Sequence, residues 1–267
     1  MATFPPFQPE ARPTFVEPPN LQWDFGEKTE VTDNGREWIE GEKVGWKYID
    51  SALEPPLDLY KLMISGIVPR PVAFVSSESA SGVQNLAPFS WFNMVTHNPP
   101  VVSVSVANPG GGAKDTTANI RATKQFVVNI INEPFIHQAN ATSIDAPEEV
   151  SEWPLSGLTQ APSISVKPPR VKESAFSMEC ELYDVVDIKH PSTGVSSAAL
   201  ILGLVKGIHV RKDVLNEKGL VDITKFRPIT RLGDISYGRI GDVFRIPRPV
   251  WKEEAEKVAE LEKKGGT

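Results

Sequence analysis

PVAFVSSESASGVQNLAPFSWFN (Pro71–Asn93), PPVVSVSV (Pro99–Val106) and KDTTANIRATKQFVVNI (Lys114–Ile130) are the stretches whose reading decides the fold. Apolar residues gather there in runs too short for helices: VAFVS (Val72–Ser76), VVSVSV (Val101–Val106) and FVVNII (Phe126–Ile131). Rich in β-branched and aromatic side chains, they read as buried strands. Ser81-Gly82 reads as a hairpin turn, and Pro88, which cannot donate to a ladder, as a break on an edge strand.

Working outward, MECELYDVVDI (Met178–Ile188) alternates over part of its length. ALILGLVKGIHV (Ala199–Val210) reads as a long strand bent at Gly203 or Gly207. The two are expected to form an antiparallel pair. Frequent strands separated by Gly, Pro and Asn predict a mainly β protein with short helices, closed or nearly closed into a barrel. Helices are expected over Thr116–Ala122 and His137–Thr142, with a third near Ala146-Pro147-Glu148-Glu149. The segment from Phe135 to Lys172 reads as an insertion, with exposed Trp153-Pro154 and Pro168-Pro169 elements.

The ends differ from this body. Six prolines in the first nineteen residues deny the backbone the donors that a helix or central strand needs. Trp23, Trp38 and Trp46 then alternate with charged residues. Residues 1–55 are therefore expected to be an arm that packs on the body or on a second subunit, residues 56–247 the barrel domain, and residues 248–267 a surface helix and tail, with Ala255 and Val258 at helical spacing.

The charge balance, 28 basic against 34 acidic residues for a net charge of −6, comes with no long basic stripe. A nucleic-acid surface is not expected. No apolar run approaches the about 20 residues that span a bilayer, and Cys180 is the only cysteine. A cytoplasmic protein away from membranes is the expectation. The four histidines show no metal-ligand spacing, and no metal site is expected.

NPGGGAKDT (Asn108–Thr116) is the most telling local feature for chemistry. Three glycines free the backbone to turn amides toward an anion, Lys114 adds charge, and a helix begins at Asp115 or Thr116 as N-cap. A phosphate fits such a loop. It is not a Walker loop, and no G-x-G-x-x-G follows a strand, so neither nucleotide triphosphate hydrolysis nor a Rossmann site is indicated. At the break around Pro88, backbone donors of Ala87 and Phe89 and the Ser90 hydroxyl could meet the polar edge of a flat heterocycle.

Taken together, LMISGIVPRPVAFVSSESASGVQNLAPFSWFN, PPVVSVSV and KDTTANIRATKQFVVNI resemble the flavin-reductase-like family of FMN-binding split barrels, including its flavoredoxin-like branch. The resemblance spans Tyr60 to about Asn132 and continues through Gly203–Val210 and Pro228–Gly238. It implies a homodimer of six-stranded, Greek-key-like split β-barrels, each holding FMN. Ser76 and Ser77 would end the first strand beside the flavin, and Asn85, Leu86, Ala87, Pro88 and Ser90 would line its ring and ribityl side. Lys114, Asp115 and Thr116 would hold the phosphate, with Arg70 as a second cation. His209 and Tyr237 match positions on the nicotinamide or substrate side. The implied activity is hydride transfer from NADH or NADPH to flavin, and on to free flavin, another small-molecule acceptor or a partner oxygenase. An FMN-binding electron carrier without nicotinamide activity and a non-enzymatic interaction protein are the alternatives.

Overall fold

A computed structural model describes residues 4–265. Its helices are α1 (Asp33–Glu40), α2 (Pro56–Gly66), α3 (Asp115–Thr123), α4 (Ile136–Ala141), α5 (Trp153–Ser156), α6 (Ile223–Phe226) and α7 (Trp251–Gly265). Its strands are β1 (Arg70–Pro71), β2 (Ala73–Glu78), β3 (Gln84–Phe89), β4 (Phe92–His97), β5 (Pro100–Ala107), β6 (Gln125–Ile130), β7 (Gln160–Ala161), β8 (Arg170–Val171), β9 (Phe176–Lys189), β10 (Ser196–Val210), β11 (Ile229–Arg231) and β12 (Tyr237–Arg239). The chain forms two compact units, one of residues 60–240 and one of residues up to 59 with those from 241.

The larger unit is built on an antiparallel sheet in the order β3-β2-β6-β9-β10-β5-β4. The sheet numbers seven strands, one more than the resemblance implies. β4 supplies a strand that the sequence reading did not name, because Met94 and Val95 lie exposed on it and leave no alternating signature. Period-2 alternation sorts the side chains of β2 to two cores. Ala73 and Val75 join Val102, Val104, Val106, Phe126, Val128, Cys180 and Ile201 inside, where Ile120 of α3 also packs and Phe89 and Phe92 close the cluster. All seven long strands thus meet one interior, which is the physical content of a barrel. Val72 and Phe74 face the other way, into a second cluster with Phe135, Ala139, Trp153 and Val171. Each fully buried side chain of this size stabilises the fold by roughly 1.5–3 kcal/mol.

That second cluster corrects the reading of the insertion. Trp153, Pro168 and Pro169 are buried rather than exposed, because the insertion lies on the outer face of β2 and β6. Hydrogen bonds fix it there: the Val171 N–H donates to Asn129 Oδ1 at 2.9 Å and the Ser76 hydroxyl to the Pro169 carbonyl at 2.5 Å. The third expected helix, near Ala146–Glu149, is instead a turn closed by the Val150 N–H on the Pro147 carbonyl, at 2.9 Å. The helix forms later, as α5, with Pro154 in its first turn, where no amide donor is missed.

The bend in β10 occurs at both glycines, as register shifts against β9 at Leu202/Gly203 and Val205/Gly207. At Gly203 the reason is a close approach: a Cβ there would lie 2.4 Å from Phe126 Cζ. Gly203→Ala is therefore expected to destabilise the protein by about 1–3 kcal/mol through overpacking. An unshifted urea midpoint would show that the barrel wall yields at this point.

In the smaller unit, the Val16 N–H donates to the Val243 carbonyl at 2.9 Å and the Val243 N–H to the Thr14 carbonyl at 2.8 Å. Lys257 of α7 pairs with Asp24 and lies 5.8 Å from the Phe25 ring centroid, while Leu261 packs at Gly26. The C-terminal helix is thus seated on the N-terminal segment. Thr32 caps α1 by accepting from the Gly35 N–H at 3.0 Å.

Candidate functional site

A cleft of about 510 Å³ opens in the larger unit between β3, the start of α3 and the segment after α4. Its size is ordinary for a small-molecule site, roughly 300–1,000 Å³. Of the residues singled out in the sequence, Arg70, Asn85, Ala87, Pro88, Ser90, Lys114, Asp115 and Thr116 line it. Segments about 45 residues apart in the chain are thus brought to one surface.

The chemistry of the 108–116 loop differs from the expectation in detail. Gly110 and Gly111 adopt left-handed backbone, with φ of 65° and 82°. The Gly111 N–H, however, closes the turn on the Asn108 carbonyl at 3.0 Å, and the Gly112 N–H points to that of Pro109. These two amides serve the loop itself. The free donors lie one step later. Lys114, not Asp115 or Thr116, is the N-cap of α3, and it offers no side-chain cap. Among the described residues, no acceptor meets the N–H groups of Asp115, Thr116 or Thr117. A helix start with unpartnered donors, the positive end of the helix dipole and an adjacent ammonium is an anion cradle.

Asn85 organises the wall beside it. Its Oδ1 accepts from the Thr116 hydroxyl at 2.7 Å and the Ser77 hydroxyl at 3.4 Å, and its Nδ2 donates to Glu152 Oε2 at 3.1 Å. Asn119 Nδ2 supports Ser77 at 3.2 Å. Ser76, Ser77 and Leu86 do not line the cleft; all three are fully buried behind it. Ser77 acts through Asn85, while Leu86 packs in the outer core and gives its N–H to Glu152 at 3.0 Å.

Arg70 lines the cleft, yet its donors point into the protein. Nη1 reaches the carbonyls of Ile64 at 2.5 Å and Ile67 at 2.7 Å, Nη2 that of Leu232 at 2.8 Å, and Nε the Ser90 hydroxyl at 3.4 Å. Burial, and next the charge of Arg231, pull its guanidinium below the ordinary arginine value. Arg231 is the more accessible cation on this wall. It lies 4.5 Å over the Tyr237 ring and donates to the Asp234 carbonyl at 2.8 Å. Tyr237 itself lies outside the lining and bonds Asn140 Oδ1 at 2.9 Å.

His209 is likewise not a lining residue. Its Nε2 lies 2.5 Å from Oε1 of fully buried Glu179, which also accepts the N–H groups of Ile164, at 2.7 Å, and Ser165. Burial opposes the charge of Glu179, but the Ile164 amide, the His209 imidazole and the Ser165 amide together hold its carboxyl below the ordinary value. The arrangement clamps the insertion to the barrel. Sequence reading missed Glu152, Arg231, Trp91 and the Thr142–Ala146 segment, all of which line the cleft. Glu152 is one of three acids just before Trp153, and nothing local ties it to Asn85. Among the described residues, no three His, Cys, Asp or Glu side chains gather as a metal site.

The family profile described as "Flavin reductase like domain" matches residues 65–230. Nitrilotriacetate monooxygenase component B of Bacillus cereus is similar in structure with a TM-score of 0.73 and 36% identity, over 76% of this chain and 99% of that one. The 2-nitrobenzoate 2-nitroreductase of Pseudomonas fluorescens is similar at a TM-score of 0.68 and 28% identity, over 77% and 98% of the two chains. A split-barrel protein of Shewanella frigidimarina shares the fold at a TM-score of 0.66 and 18% identity, over 76% of this chain and 100% of that one. With its antiparallel barrel and the profile matching most of its length, the chain belongs to the flavin-reductase-like family of split-barrel proteins.

Proposed function

We propose that the cleft binds FMN, with its phosphate at Lys114, Asp115 and Thr116 and its ring and ribityl chain along Asn85, Ala87, Pro88 and Ser90. On this reading the chain is an NADH- or NADPH-dependent oxidoreductase. The observation that carries it is the start of α3, where Lys114 and the residues Asp115 and Thr116, whose N–H groups meet no acceptor among the described residues, line a cleft of flavin size. Held by these residues, FMN would supply the redox chemistry, hydride acceptance from a reduced nicotinamide and electron delivery to an acceptor. The chain's own residues bind and orient: the α3 donors and Lys114 attract the phosphate, Asn85 presents a fixed amide, and β3 walls off one side of the cleft with Asn85, Ala87, Pro88 and Phe89.

The likeness to a monooxygenase component B supports a partner oxygenase as acceptor; the likeness to a nitroreductase supports a small organic acceptor. FMN titration followed by anaerobic mixing with NADH and NADPH tests the proposal. Flavin absorbance that stays with the protein and bleaches with either nicotinamide is expected, and a protein that takes up no FMN would end it. One observation favours a second reading, an electron carrier without nicotinamide activity: His209 is engaged with Glu179 and does not reach the cleft lining. A flavin that binds but stays oxidised with both nicotinamides would select it.

A homodimer is part of the proposal. β4 is an edge strand of the sheet and exposes Met94 and Val95, at 68% and 52%, an arrangement that invites pairing with a second copy. Met94→Lys is expected to convert a dimer to a monomer in sedimentation analysis, and a wild-type protein already monomeric would refute the assembly. No helix among the described residues is long and apolar enough to cross a membrane. A cytoplasmic location is proposed, in keeping with a single cysteine, Cys180, that is buried and unpaired.

A further inference from the structure

We propose that Glu152, brought into the cleft by the insertion, is a proton-holding positioning residue, and that binding of the flavin phosphate is coupled to uptake of a proton by its carboxyl. The inference rests on the flavin reading above and deepens it.

Glu152 is 4% exposed and lines the cleft. Oε2 accepts from both Asn85 Nδ2 and the Leu86 N–H, at 3.1 and 3.0 Å. Oε1 meets no other side chain among the described residues. Through Asn85 the carboxyl stands one side chain from Thr116, since Asn85 Oδ1 takes the Thr116 hydroxyl at 2.7 Å. The pull of Glu152 on Nδ2 therefore decides which end of the Asn85 amide faces the cradle. This places a buried acid beside a site built for an anion. Two negative charges in a partly desolvated cleft repel, and the carboxyl relieves the repulsion by binding a proton.

The charged neighbours do not cancel that repulsion. β3 lines this wall with uncharged Asn85, Ala87, Pro88 and Phe89, and the one titratable side chain of α4, His137, lies outside the lining. Asp115 and Lys114 stand at the start of α3, with Lys114 Nζ 3.9 Å from Asp145. Glu148 and Glu149 precede Glu152 in its own segment, and Arg70, Arg231 and Asp234 complete the charged lining. Burial first, and then the charge of Asp115, already push the Glu152 carboxyl above the ordinary glutamate value, against the Leu86 amide and its own. A bound phosphate pushes in the same direction, so affinity falls with rising pH by up to about tenfold per unit between the free and bound pKa values.

Calorimetric titration of the protein with FMN near pH 7, in two non-phosphate buffers of different ionisation enthalpy, counts the protons taken up. Wild type is expected to take up more protons than Glu152→Gln, by up to one per FMN bound, since the variant's amide oxygen still accepts from Asn85 and Leu86 but cannot titrate. The flavin phosphate, with its second pKa of about 6, contributes alike to both proteins. Equal uptake in the two overturns the inference while FMN binding stands. No FMN binding by wild type overturns the flavin reading and this inference with it. Should the variant not fold, riboflavin replaces it as the comparison on wild type: lacking the phosphate, it is expected to bind without the extra proton, and equal uptake with both flavins overturns the coupling.

Discussion

Arg70→Ala is expected to lower the stability of the protein by about 3–5 kcal/mol, because it leaves three backbone carbonyls without a charge-assisted donor, each worth roughly 1.5–3 kcal/mol and not fully additive. The guanidinium gathers the carbonyls of Ile64 and Ile67, at the end of α2, and of Leu232, after β11. Without it, α2 loses its C-terminal acceptor satisfaction and two walls of the cleft lose their common anchor. Arg70→Lys should recover little, since a single ammonium cannot span three acceptors in the geometry of a planar fork. Thermal unfolding checks this, with a drop on the order of 10 °C expected for a domain of this size. A variant that unfolds like wild type but binds FMN far more weakly would return Arg70 to the ligand-facing role that the family resemblance implies.

Lys114→Ala is expected to weaken FMN binding about tenfold to a hundredfold while leaving the fold intact. The ammonium is 45% exposed and its contact to Asp145, at 3.9 Å between largely solvated groups, contributes little to stability. On the proposed FMN reading, its loss therefore removes a phosphate partner and almost nothing else. A charge-assisted contact is worth about 1.5–3 kcal/mol, and solvent exposure favours the lower end of that range. The effect should shrink in high salt and vanish with riboflavin, which has no phosphate. Fluorescence titrations with both flavins provide the measurement. An equal loss for riboflavin would show that Lys114 supports the cleft rather than the phosphate.

Much of the barrel was legible locally. VAFVS, VVSVSV and FVVNII became β2, β5 and β6, and Met178–Ile188 and Ala199–Val210 became the antiparallel pair β9 and β10, because buried strands carry β-branched runs whatever their neighbours do. The bulges at Gly203 and Gly207 were readable as glycines inside a strand. β4 escaped, since a half-exposed edge strand has no alternation to read. The burial of Trp153 and Pro168-Pro169 escaped for the opposite reason: nothing in the insertion shows which face of the sheet it will cover.

The site divides in the same way. The sequence by itself determined that glycines, a lysine and a helix start stand together from Asn108 to Thr116, because these features are contiguous and act over a few residues. Only the tertiary structure decided which donors remain free there: the glycine amides close their own turn and the first amides of α3 do not. It also turned Arg70 inward, tied His209 to Glu179 and joined Glu152 to Asn85 across 67 residues. Hydrogen-bond partners and burial are properties of the packed chain. A residue type offers a donor or a charge, and the fold alone determines what it meets.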